Sequence, residues 1–129
     1  DASKQDRRGL TVKEISRIIS NTDQSDSPFN RLSKEMKIEV LNGCGVDGVA
    51  TKVTNQLRGY GLKVIKIGNA GSFDYPKTLI VDWKGKHANA IALAQALSID
   101  PSNIIVYDRP EKPLNITLVI GKNGINIED

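Results

Sequence analysis

Cys44 and His87 are the sole cysteine and the sole histidine of the sequence. A single thiol excludes an internal disulfide. The two residues together fall short of the four Cys and His ligands of a structural zinc site. Any Ser-His-Asp or Cys-His mechanism would have to run through His87. Asp74 and Asp82 are not spaced as a recognisable acid pair, so no catalytic residue, metal or cofactor is expected. Aromatic residues make up only 5% of the chain, and none falls into the stacked pattern of RNA-binding sheets. Charge of one sign is scarce too, since 18 Lys and Arg face 15 Asp and Glu, a net charge of +3. A nucleic-acid clamp is therefore not expected. No apolar run approaches the roughly 20 residues that cross a bilayer.

What remains is a chain of 129 residues with 39% apolar and 26% charged side chains. That length and balance suit one compact domain with an appendage. The chain starts at Asp1 rather than Met, which predicts a fragment or a processed form. Residues 1–36 read as a tether. Thr11-Val12-Lys13-Glu14 fits a capping box, and Leu10 and Ile15 fit a hydrophobic staple. Val12, Ile15, Ile18 and Ile19 follow at helical spacing, so an amphipathic helix is predicted over residues 12–20. It is shorter than the roughly 12–15 residues at which an isolated helix becomes marginal. Its stripe must dock on the main domain, a second copy or another protein. A polar linker from Asn21 to Pro28 follows.

The main domain is placed at residues 37–129. Lys37 to Leu41 alternates as a strand, and Gly43, Gly45 and Gly48 break it. Val46, Val49, Ala50, Val53 and Leu57 then share one helical face, until Gly59 and Gly61. Leu62 to Ile67 and Thr78 to Trp83 read as strands. His87 to Leu97 reads as an Ala-rich helix with Ala90, Ile91, Ala94 and Leu97 inward. Asn103 to Tyr107 and Asn115 to Ile120 are further strands. Asn123-Gly124 is a turn signal that predicts a hairpin arm at Ile125 to Ile127. The order β-α-β-β-α-β-β predicts an α/β two-layer sandwich close to the ferredoxin-like, split βαβ plan, preceded by the N-terminal helix. Two such helices cover one sheet face. The other is left to solvent, the N-terminal helix or a partner.

Gly43-Cys44-Gly45-Val46-Asp47-Gly48 has the G-x-G-x-x-G spacing of a dinucleotide turn, between a strand and a helix. The acid that should end the next strand is missing, because Ile67-Gly68-Asn69 stands there. The turn is read first as close helix–sheet packing. The alternative is an anion or ligand turn at Asn42, Gly43, Gly45, Asp47 and Gly48, assisted by Lys52. Asn42 is expected to bond local backbone. Cys44 is read as a small packing residue and His87 as an exposed one. Trp83, flanked by Lys84 and Lys86, is either a packing residue or a sugar platform of Trp83 with Lys86.

The block Val40-Leu41-Asn42-Gly43-Cys44-Gly45-Val46-Asp47-Gly48-Val49-Ala50 resembles the C-terminal domain family of LytR-type (LytR/CpsA/Psr) cell-envelope proteins. Leu57, Gly61, Val64 and the final Leu118-Val119-Ile120-Gly121 fit the same pattern. Cys44 departs from the small polar residue more usual at its position. The resemblance spans about residues 37–121. It implies a non-enzymatic extracytoplasmic accessory domain, in the periplasm or on the outer face of the cytoplasmic membrane. A missing N-terminal anchor would supply the only membrane contact. The implied partners are peptidoglycan, another wall polymer or a wall-assembly protein. The phosphotransferase chemistry of the catalytic domain that often precedes such modules is not carried over, because its Arg and Asp constellation has no match here. A protein-interaction or homodimerisation module without a wall ligand is the alternative.

Overall fold

A computed structural model describes residues 32–127. The expected N-terminal helix, with Val12, Ile15, Ile18 and Ile19, lies outside the described residues. The elements are β1 (Lys37–Asn42), α1 (Val49–Gly59), β2 (Lys63–Asn69), β3 (Leu79–Asp82), α2 (His87–Leu97), β4 (Ile104–Val106) and β5 (Ile116–Ile120). A short 3-10 turn at Pro101–Asn103 leads into β4. The chain therefore forms the α/β fold expected, one five-stranded sheet with two helices. No helix among the described residues is long and apolar enough to cross a membrane.

The strand order is β2-β1-β5-β3-β4. β1 runs parallel to both β2 and β5, and β3 runs parallel to β4. The β3–β5 pair is antiparallel. Two βαβ units thus lie side by side, and β5 joins them. Within each unit the two strands are direct neighbours, whereas a split βαβ plan would place another strand between them. β5 is the last strand in chain order, yet it takes the centre of the sheet, where all five of its residues are buried.

Side-chain alternation sorts the sheet into two faces. Ile38 and Val40 of β1, Ile80 of β3 and Ile116, Leu118 and Ile120 of β5 are at most 1% exposed. They meet Ala50, Val53 and Leu57 of α1 and Ala90, Leu93, Ala94 and Leu97 of α2 in one core. Each fully buried Leu or Ile contributes about 1.5–3 kcal/mol. Leu32 and Met36, which precede β1, also belong to this core.

Two inward assignments are corrected. Val46 is 59% exposed because α1 starts only at Val49, after Gly48 has turned the chain with φ 78°. Helical spacing does not extend back through that turn. Ile91 is 38% exposed, and Leu93 takes the inward position on α2. Alanines occupy so much of α2 that the apolar stripe alone does not fix its rotation. The hairpin arm is not formed either. Asn123 and Gly124 do turn the chain, but Ile125 and Ile127 then pack against the core, and the Asn126 amide donates to the Leu97 carbonyl at the end of α2. The apolar core at α2 competes better for these isoleucines than a two-stranded arm would.

Candidate functional site

The glycine turn is a packing device first. A Cβ at Gly43 would come within 2.8 Å of Val119 Cγ1 and 2.9 Å of a Tyr75 ring carbon. Gly45 holds φ 83°, and a Cβ added there would lie 3.3 Å from Phe73 Cβ. Asn42, 7% exposed, organises the turn. Its Oδ1 accepts from the amides of Cys44 (3.0 Å) and Gly45 (2.9 Å), and its Nδ2 donates to the Val46 carbonyl (2.9 Å). The Gly43 amide donates to the Ile120 carbonyl. Three amides at the start of the turn are thus already engaged within the protein. An anion would have to rely on those nearer Gly48. Asp47 and Lys52 are exposed, and β2 ends on Asn69 without an acid. Nothing here builds a ribose-binding position.

A second constellation lies on the sheet face away from the helices. Trp83 follows β3 directly, and its Nε1 donates to Thr117 Oγ1 on β5 (2.8 Å). Thr117 donates in turn to Glu39 Oε1 on β1 (2.8 Å). Glu39 Oε2 lies 3.6 Å from Lys66 Nζ on β2. This ladder spans the sheet from β3 to β2. Thr117 is 3% and Glu39 9% exposed, so both need the partners they have. The ladder fixes the indole in one orientation.

The rings and cations around Trp83 come from the loop after β4. Tyr107 stacks on Trp83 with centroids 5.2 Å apart and planes 17° apart. Lys112 Nζ lies over the indole, 4.3 Å from its centroid. The Arg109 guanidinium carbon stands 6.0 Å from the Tyr107 centroid. Backbone bonds from Tyr107 to the Asp82 carbonyl and from Arg109 to the Trp83 carbonyl lash the loop to β3. Lys84 Nζ adds bonds to the carbonyls of Pro110 and Lys112. Lys86 instead occupies the N-cap position of α2 without a side-chain cap bond; the cation over the indole is Lys112. Sequence spacing suggested a cation near Trp83 but gave no means of choosing one from a distant loop. Tyr107 and Arg109 carried no signal beyond their residue types.

Such a surface can hold an anionic or amphipathic chain. Exposed ring surface receives apolar groups, and the flanking cations receive negative charge. His87 is exposed at the first turn of α2 and has no nucleophile in hydrogen-bond contact. Among the described residues no group of three or more His, Cys, Asp or Glu is arranged to hold a metal.

A family model described as "LytR cell envelope-related transcriptional attenuator" (LytR_C) matches residues 35–123. No curated protein matches. Among solved structures, the soluble domain of a conserved hypothetical secreted protein from Mycobacterium marinum is similar, with a TM-score of 0.57 and 19% identity. The match covers 74% of this chain and 65% of the mycobacterial one, and at that identity it speaks for the fold. The glycine turn, the two βαβ units and the closing β5 all fall inside the matched residues, and the chain belongs to the LytR C-terminal family of cell-envelope accessory domains.

Proposed function

We propose that this domain is a non-enzymatic, extracytoplasmic binding module that recognises an anionic polymer of the bacterial wall on its open sheet face. One observation carries the reading: the Trp83–Tyr107 stack with Lys112 and Arg109 beside the two rings. Membership of an envelope family supports the compartment, as does the secreted protein that shares the fold. A wall polymer with phosphate or carboxylate groups and apolar sugar C–H faces matches cations and exposed ring surface together.

Trp83 is the sole tryptophan, so its fluorescence reports on this face. Titration with purified poly(glycerol phosphate) polymer and with soluble peptidoglycan fragments should change the emission saturably for one of them. Tyr107→Ala or Lys112→Ala should weaken that binding about 2- to 30-fold, the span of one ring–cation contact. Unchanged emission with both ligands, or equal binding by the variants, overturns the reading.

A protein-interaction module is the second reading. It draws on Ile65 and Ile67, which are 48% and 41% exposed on the edge strand β2. Lys63, Lys66 and the register shift at Ile38/Glu39 blunt that same edge. The open-face reading therefore takes precedence.

A further inference from the structure

A cavity of about 260 Å3 opens at the sheet edge where β5 ends and β3 and β4 begin. Its walls come from the residues after α2, the start of β3 and the turn after β5. It therefore sits between the second βαβ unit and the turn that follows β5. Thr78 of the lining precedes β3 and Trp83 follows it, so the cavity and the aromatic face lie at opposite ends of that strand.

The lining has polar capacity that the protein does not use. Asn123 commits its Oδ1 to the Thr78 amide, which leaves its Nδ2 as a donor. The Asn103 side-chain amide makes no hydrogen bond to a described residue, and Lys77 forms no ion pair with one. Asp100 is held below its ordinary pKa by the backbone amide and then the hydroxyl of Ser102, with Lys77 a lesser contributor. It is an ionised acceptor, and a carboxylate has room for about four hydrogen bonds. Ile99 supplies an apolar surface, and no aromatic ring lines the space.

We propose that this cavity is a binding site for a single uncharged sugar unit. Lys77 and Asp100 balance each other, so neither an anion nor a cation is selected by net charge. The side-chain amides and the carboxylate offer donors and acceptors together, which matches hydroxyl groups that both give and take. The volume is just under the roughly 300–1,000 Å3 of small-molecule sites, which suits one ring rather than an oligomer. This site goes beyond the open-face reading and stands or falls separately from it.

The test is a titration of the isotopically labelled 129-residue protein with N-acetylglucosamine, followed by amide NMR. Sodium phosphate and glycine serve as charged comparators. The sugar should produce saturable shifts at residues 98–103 and 123–124, with a Kd on the order of 1–10 mM, while the Trp83 indole signal stays in place. Asn103→Ala and Lys77→Ala should each weaken binding at least about 5-fold, a loss of roughly 1 kcal/mol, as expected for one hydrogen bond. Neither side chain bonds to the described protein, so both variants should melt like the parent. No saturable shift at about ten times that Kd, saturation by phosphate or glycine instead, or undiminished binding by both variants overturns the proposal. The fluorescence response of Trp83 to wall polymer would survive any of these failures.

Discussion

Gly121→Ala should be the most damaging single-methyl change in the protein. A Cβ there would overlap the Lys77 carbonyl carbon and oxygen and lie 2.7 Å from the Thr78 amide nitrogen. Those are backbone atoms at the entry to β3, and they cannot rotate away as a side chain could. The Gly121 amide also donates to Thr78 Oγ1 (3.0 Å), so moving the strands apart breaks that bond as well. Overpacking typically costs about 1–3 kcal/mol, and a backbone clash belongs at or above the top of that range. For a domain of this size each kcal/mol lowers Tm by about 4–8 °C. Gly121→Ala should therefore lose on the order of 12–24 °C. Gly43→Ala meets mainly the Val119 and Tyr75 side chains, which can give way, and should lose less. Gly59 has open space and no left-handed backbone, so Gly59→Ala should stabilise α1 by about 0.5 kcal/mol. Thermal and urea unfolding of the three variants reads the order directly. A Gly121→Ala protein as stable as the parent would mean that β3 and the end of β5 are not in this contact.

That ranking bears on function, because the Gly121 contact closes the seam between the end of β5 and the entry to β3. The Thr78 hydroxyl accepts from the Gly121 amide and donates to the Gly124 carbonyl (2.6 Å), and the Thr78 amide donates to Asn123 Oδ1 (2.9 Å). Thr78, Asn123 and Gly124 form one wall of the polar cavity. A site at this seam inherits the rigidity of the contact, and Gly121→Ala should disturb the cavity before it disturbs Trp83.

The element order was legible in the sequence because each strand and helix advertises itself locally. Ile38 and Val40 alternate with Glu39, and Val53 and Leu57 recur one helical turn apart. The glycine block carried the family because a tight strand-to-helix turn tolerates few sequences. Illegible were the features made by residues far apart in the chain. Thr117 stands between Trp83 and Glu39 only because β5 inserts between β1 and β3. Lys112 reaches the indole because backbone bonds fold its loop over the end of β3. Asn123 and Thr78 are 45 positions apart, and nothing in either segment signals the other. Val46 and Ile91 were misplaced for a different reason. Periodicity gives a helix its stripe but fixes neither its first residue nor, where alanine dominates, its rotation.

Asn42 offers a direct way to separate architecture from ligand binding at the glycine turn. Its side chain satisfies two amides and one carbonyl from a position 7% exposed. Asn42→Ala strips all three groups of their partner. An unsatisfied buried polar group costs about 1–3 kcal/mol. Cys44 is only half-buried and Gly45 exposed, so water recovers part of that. The net loss should be about 2–3 kcal/mol. Asn42→Asp keeps the acceptor and strengthens it by charge, but it sets a carboxylate oxygen against the Val46 carbonyl in place of a donor. It should cost about 1 kcal/mol, with the amides of Cys44 and Gly45 still protected from hydrogen exchange. A ligand turn would give the reverse pattern. There Asn42→Ala would leave the urea midpoint unchanged and remove a binding signal at residues 42–52. The bonds around Asn42 predict the first pattern, because an oxygen already shared by two backbone amides holds the chain in its bend.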